Sequence, residues 1–323
     1  MPVYNPAASD VHVNKPLTNI LTGFHNSEYI ADAIFPLVPV DKQTDIIPAI
    51  KQSAFFRNEG TIPLGEAGIA ADVGYEVDTT PTYRCISYGR RHFISDERRT
   101  NEDAPFNSDR DAAMLVADKL EMVRELSFVT DFWKKTVWGI DKTGTTDFTK
   151  WSSYGTSSPI TDMRTYTRLV RRKIGRDPNT LVLGDLTYDK LVDHPDVLER
   201  IALTERGIAT ADLLAVLFDV SRVLVGKSVY TTDAEGTAEA SVTYTAAWDD
   251  DALLLYVAPR PMIWEPSAGY TFYWNTGIGA GIQWARKYRD DERMGDYIEV
   301  RSFFDQKAVA TASGLFMSDA VDE

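Results

Sequence analysis

The chain has 323 residues, of which 44% are hydrophobic and 25% charged, and a formal net charge of -14. That composition fits a folded protein, as one large domain or two medium ones, and is too apolar for a disordered one. No apolar run approaches the ~18 residues that suggest a membrane-crossing helix, and so acidic a chain is not a free-standing binder of DNA or anionic membranes, because phosphate contact needs concentrated Lys and Arg.

From the N-terminus, MPVYNPAASDVHVNKP has no basic stretch leading into an apolar one and does not read as a secretory signal. Residues 1–45 read as an extended arm, because Pro2, Pro6, Pro16, Pro36 and Pro39 interrupt any long helix. One short helix is predicted from Ser27 to Ile34, stopped by Pro36. The stretch from Ile34 to Val40 is apolar and extended, so it must lie along another surface. Ile46–Phe56 and Tyr75–Ile94 carry β-type residues and predict a long two-stranded arm. Four glycines and Pro63 within residues 58–74 predict a flexible tip.

Residues 108–137 read as one long helix, opened by Ser108 and Asp111 and followed by Gly139. Val116, Leu120, Val123, Leu126, Val129, Trp133 and Val137 recur at spacings of three and four and predict its apolar face. At ~1.5 Å per residue it would run about 45 Å. Residues 140–158 read as a loop. A second helix is predicted from Thr161 to Ile174, ended by Gly175, with Arg168, Arg171, Arg172 and Lys173 crowded toward its C-terminus.

Beyond residue 176 the text alternates. Strands are predicted at Thr180–Leu183, Arg222–Thr231, Ser241–Trp248 and Ala252–Val257, and helices at Leu186–Asp193, Asp196–Leu203 and Thr210–Val220. Residues 270–323 return to β-type text, with strands at Tyr270–Trp274, Ile282–Arg289 and Tyr297–Phe304.

Motifs for chemistry are sparse. The four histidines, His12, His25, His92 and His194, have no metal-ligand spacing, and Cys85 with His92 cannot supply the four donors of a zinc site. The single cysteine also excludes an intrachain disulfide and fits a reducing cytoplasm. Ser221–Ser228 nearly matches a phosphate loop, but Ser221 replaces its first glycine and Arg222–Val225 reads as a strand. Gly277, Gly279 and Gly281 lack the third glycine of a dinucleotide fingerprint. Asp249–Asp251 and Asp290–Glu292 lack calcium-loop spacing and read as solvated turns. No catalytic residue, metal or cofactor is expected.

The order of segments carries more. An extended arm, a long β-arm, a long helix, an α/β lobe and a returning β segment together resemble the major capsid proteins of tailed bacteriophages, the Hong Kong 97 type fold. Tyr29–Val40 resembles their arm segment, and Thr180–Ile201 the strand and helices that open their axial domain. The resemblance implies an α+β fold with an N-terminal arm at 1–45, an extended E-loop at 46–98, a peripheral domain with a spine helix at 99–175, an axial domain at 176–262 and a return to the peripheral domain at 263–323. It implies pentamers and hexamers that close an icosahedral shell around double-stranded DNA without sequence-specific binding. It also implies a portal, a possible decoration protein, and a place in the virion after assembly in the host cytoplasm. The arm begins at residue 1, so a scaffolding protein is expected to be separate.

No lysine lies between Lys51 and Lys119, so the lysine–asparagine cross-link of some family members lacks its nucleophile. Subunit contacts are expected at Phe35, Leu37 and Val38, at Ile62, Leu64 and Ile69, and at Arg168, Arg171, Arg172 and Lys173 facing a neighbour's or a scaffold's carboxylates. Two other readings stand beside this one. The first is an encapsulin-type compartment enclosing enzymes, and the second an α/β enzyme with an acidic cleft.

Overall fold

A computed structural model describes residues 17, 28–50, 53–58, 60, 69–70, 72–102, 107–202, 210–262, 264–275 and 281–322. The expected contacts at Ile62 and Leu64 lie outside them. In chain order the elements are α1 (Ala31–Ile34), β1 (Leu37–Val40), β2 (Thr44–Ile46), β3 (Ala49–Ile50), α2 (Ser53–Phe56), β4 (Val77–Asp78), β5 (Thr82–Arg84), β6 (Ile86–Ser95), α3 (Asp96–Thr100) and α4 (Ser108–Phe132). Then follow β7 (Ile140–Thr143), α5 (Pro159–Ile174), β8 (Thr180–Gly184), α6 (Asp185–Val192), α7 (Pro195–Ala202), α8 (Ala211–Phe218), β9 (Arg222–Gly226), β10 (Val229–Tyr230), β11 (Thr245–Ala246), β12 (Ala252–Leu255), β13 (Gly269–Trp274), β14 (Gln283–Asp290), β15 (Gly295–Ala308) and β16 (Gly314–Ser318).

Two five-stranded sheets organise the subunit. The first runs β1-β13-β15-β14, with β6 also pairing β15. The second runs β7-β16-β12-β8-β9. In the second, β8, β12 and β16 are buried at every position. Alternation sorts their side chains. Leu181, Leu183, Leu254, Leu315 and Met317 face α5–α8, where Met163, Tyr166, Val170 and Leu191 meet them. Val182, Leu253, Leu255 and Phe316 face the end of α4, where Phe128, Phe132 and Trp133 meet them. The first half of α4 packs Ala112, Ala113, Val116, Ala117 and Leu120 on Ile94, Ala285, Ile298 and Val300 of the first sheet. One helix thus spans two cores.

Several elements differ from the sequence expectation. The expected second arm strand Tyr75–Ile94 divides: β4 and β5 pair with β3 and β2, while β6 runs antiparallel along β15 inside the first sheet. Pro48 and Pro81 break the arm ladder between its two short pairings, since proline has no N–H to donate, and the carbonyl of Pro81 instead accepts from Ile47 N–H at 2.7 Å. Helix α4 ends at Phe132, not Val137, because Trp138 turns back to donate its indole N–H to the Phe132 carbonyl at 2.8 Å. Helix α5 starts earlier than expected, with Pro159 in its first turn, and ends at Gly175 in the left-handed region (φ 68). The expected loop 140–158 opens with β7, and only Thr245–Ala246 of the expected strand Ser241–Trp248 is β. The lobe expected at 176–262 does not close on itself: its sheet takes β7 and β16 from outside that range.

Candidate functional site

The N-terminal arm is anchored by charged side chains buried on α4. Helix α1 has four residues, too short to be stable alone. At its start the Glu125 carboxylate accepts from Ile30 N–H (3.1 and 3.2 Å) and Ala31 N–H (2.8 Å). At its end Arg222 donates to the Ala33 carbonyl at 2.7 Å. Arg124 grips Asp32 at 2.7 and 3.2 Å. Glu125 also accepts from the Trp248 indole at 2.7 Å, and Trp248 in turn fills space that only a glycine at 226 leaves open, since a Cβ there would lie 2.1 Å from its ring. Burial pushes the Glu125 carboxyl above its usual range, with the N–H donors opposing. Burial, with Asp118, Glu121 and Glu125 nearby, pushes the Tyr29 phenol up to about 12.

Sequence reasoning missed these residues. It followed Val123, Leu126 and Val129, which are only half-buried, whereas the buried stripe continues from Leu120 through Arg124 and Glu125 to Phe128 and Phe132. The signal was present as a strict spacing of four from Val116 to Phe132. Its charged member at 124 broke the apolar pattern.

The expected contact residues divide. Phe35 is wholly buried in its own subunit, with its ring 4.9 Å from those of Phe128 and Phe132, so it is not a surface for a neighbour. The apolar arm text does lie along another surface, but that surface is the subunit's own: β1 pairs in parallel with β13. Val38 packs against the cluster of Ile47, Tyr83, Cys85, Tyr270 and Phe272, while Leu37 is exposed. Ile69 is 93% exposed and Val73 78% exposed on the arm. Arg168, Arg171, Arg172 and Lys173 all sit on the exposed side of α5. Arg171 already pairs with Asp177, and Lys173 donates to the Gly139 carbonyl.

The remaining polar clusters are structural in geometry. His194 is buried, and its Nδ1 accepts from Asp196 N–H at 3.1 Å, which leaves Nε2–H to donate to Ser157 Oγ at 2.9 Å. In that tautomer the imidazole cannot take the serine proton. The aspartate run 249–251 is not the solvated turn its sequence suggests: Asp249 is exposed, but Asp250 and Asp251 are half-buried. Asp251 accepts from Asp319 N–H at 2.7 Å, and burial pushes its carboxyl up to about 7. Cys85 is buried, and burial pushes its thiol up to about 12. Among the described residues no three His, Cys, Asp or Glu converge as metal donors, and no helix is long and apolar enough to cross a membrane.

No family model matches the chain. A curated relative, the major capsid protein of Burkholderia phage BcepMu, is 26% identical over 268 residues, covering 80% of this chain and 82% of the relative. Among solved structures, a phage-related protein from Bordetella bronchiseptica RB50 superposes with a TM-score of 0.72 at 22% identity, over 96% of this chain and 98% of that one. The capsid of cyanophage P-SCSP1u gives 0.58 at 10% identity, over 98% and 93%. The SrpI encapsulin of Synechococcus elongatus PCC 7942 gives 0.50 at 10%, over 90% and 86%. The fold is that of the Hong Kong 97 type shell proteins. A capsid protein is also the relative found by sequence, and among these likenesses the encapsulin one is the weaker.

Proposed function

We propose that the chain assembles as pentamers and hexamers into an icosahedral shell that encloses double-stranded DNA, with the arm of residues 44–84 engaging a neighbouring subunit. The observation that supports this reading is the exposure of Ile69 and Val73 on an arm whose described residues are buried only toward its root. Burying one such side chain against a neighbour is worth ~1.5–3 kcal/mol. In this reading α4, the first sheet and residues 99–175 with 263–323 form the peripheral domain, and 176–262 the core of the axial domain. A separate scaffolding protein, a portal and a possible decoration protein are its partners, the finished shell is part of the virion, and assembly takes place in the host cytoplasm. The work is mechanical and needs no catalytic residue.

Replacing Gly60–Gly74 by an Asn-Gly turn tests it. The expected product is a folded subunit with near-native circular dichroism that forms no stable closed shells in negative-stain micrographs. Shells of normal size and heat resistance from the shortened protein would remove the arm from the assembly.

A further inference from the structure

The first sheet has a second face, turned away from α4, and its chemistry is unlike the rest of this acidic chain. Register places Arg91, Glu299 and Arg286 side by side across β6, β15 and β14, with Gly89, Arg301 and Trp284 in the next row on the same face. The guanidinium of Arg91 lies 4.3 Å from the centre of the Tyr297 ring, that of Arg286 lies 5.0 Å from Tyr288, and that of Arg301 lies 6.0 Å from Trp284. Arg91 also donates to the Tyr288 hydroxyl at 2.9 Å. These stacks hold the arginines in place ahead of any partner.

A basin of about 480 Å³ opens over them, lined by Ser87, Gly89, Tyr288, Glu299 and the four arginines 90, 91, 286 and 301. Its one lining carboxylate, Glu299, accepts from both Arg286 (2.6 and 2.8 Å) and Arg301. The basin therefore keeps a net positive charge on a chain whose net charge is -14.

The complementary charge is in the arm. Between Arg57 and Arg84 the sequence carries Glu59, Glu66, Asp72, Glu76 and Asp78, and no lysine or arginine. We propose that the arginine basin is the seat for the acidic arm of a second copy of this chain. The inference rests on the reading of the chain as a self-assembling shell subunit. It adds the surface on which the arm lands and the force that guides it there. Opposite patches steer encounter and suppress wrong registers more than they add affinity, and salt screens them.

A charge exchange in the full-length chain tests the pairing. Arg91→Glu with Arg301→Glu, and separately Asp72→Lys with Glu76→Lys, are each expected to slow shell formation at low salt, followed by light scattering, by about tenfold or more. All four changes in one chain are expected to restore the rate to within about threefold. Circular dichroism melting checks that each variant folds. Arg91→Gln with Arg301→Gln, which removes the charge without reversing it, should slow assembly by a smaller factor. Two slow variants that do not rescue each other overturn the pairing, as does an unchanged rate in either. Unchanged assembly with lost mobility shift of duplex DNA in the arginine variant also overturns it and makes the basin a nucleic-acid surface. If the shortened-arm protein forms normal shells, the assembly role of the arm falls with the seat; if it does not, a failed rescue removes only the seat.

Discussion

The second sheet and the arm use the same kinds of residue to opposite ends. In β8, β12 and β16 every side chain is buried, with Leu181, Leu254 and Leu315 on one face and Val182, Leu253 and Phe316 on the other. Among the arm's described residues, burial is confined to the root, at Ile47, Ile50 and Tyr83, while Ile46, Ile69, Val73 and Tyr75 are exposed. A sheet covered on both faces buries its apolar residues without any partner subunit. An arm with uncovered apolar residues gains stability only when something else covers it. The subunit's fold and its assembly are therefore separable in where they draw free energy.

The sharpest way to break that division is to cut into the sheet. Leu254→Ala should lower subunit stability by ~3 kcal/mol through a buried cavity, read as a fall in the denaturant midpoint at an unchanged slope. Next in size is the anchor. Glu125→Ala leaves the N–H groups of Ile30 and Ala31 without their acceptor and the Trp248 indole with Ser228 Oγ alone, and should cost roughly 1–3 kcal/mol. Limited proteolysis should then cut near residues 28–35 faster than in the parent; an unchanged cleavage pattern would show that Asp32 and Ala33 hold the arm without help from Glu125. On the arm itself, Ile69→Ser with Val73→Ser should leave the isolated subunit within ~0.5 kcal/mol of the parent. The same change should lower the melting temperature of assembled shells, and equal loss in subunit and shell would erase the distinction between the two regions.

The smallest effect concerns pH. The folded Asp251 carboxyl lies raised, at about 7, above its ordinary value of 3.8. The folded state therefore binds the proton more tightly, and this group's contribution to stability is present below pH ~4 and declines as pH rises toward about 7. Asp251→Asn keeps an acceptor for Asp319 N–H and should flatten that slope, changing the melting temperature by a few degrees at most between pH 5 and pH 8. An unaltered pH profile would assign the slope to other groups.

Much of the fold was legible because its elements carry strong local signals. Thr180–Gly184 is an uninterrupted buried strand, Gly175 stops α5, and Val116 and Leu120 start the apolar stripe of α4. What was illegible depends on partners distant in sequence. β6 reads like an arm strand until β15 claims it through ten paired positions. Phe35 reads like a sticky surface residue until Phe128 and Phe132 enclose it. Glu125 reads like a solvated residue because nothing local reveals the backbone N–H groups of Ile30 and Ala31. For the candidate site, the exposure of Ile69 and of the α5 basic residues followed from composition and helix phase. The arginine basin did not, because it exists only when β6, β14 and β15 lie side by side.

The position of β16 has a consequence for how the molecule is made. Residues 314–318 lie between β7 at 140–143 and β12 at 252–255, in the middle of the second sheet. During synthesis, neither β7 nor the β12 edge can find its neighbour until residue 318 has left the ribosome. The sheet that stabilises the subunit thus closes late, across long loops whose closure is slow. Chains still being translated keep that sheet open, and with it the two cores packed on its faces. Ribosome-stalled chains ending at residue 310 should stay protease-sensitive across 180–255, and equal protection in chains stalled before and after β16 emerges would show that the sheet forms without it.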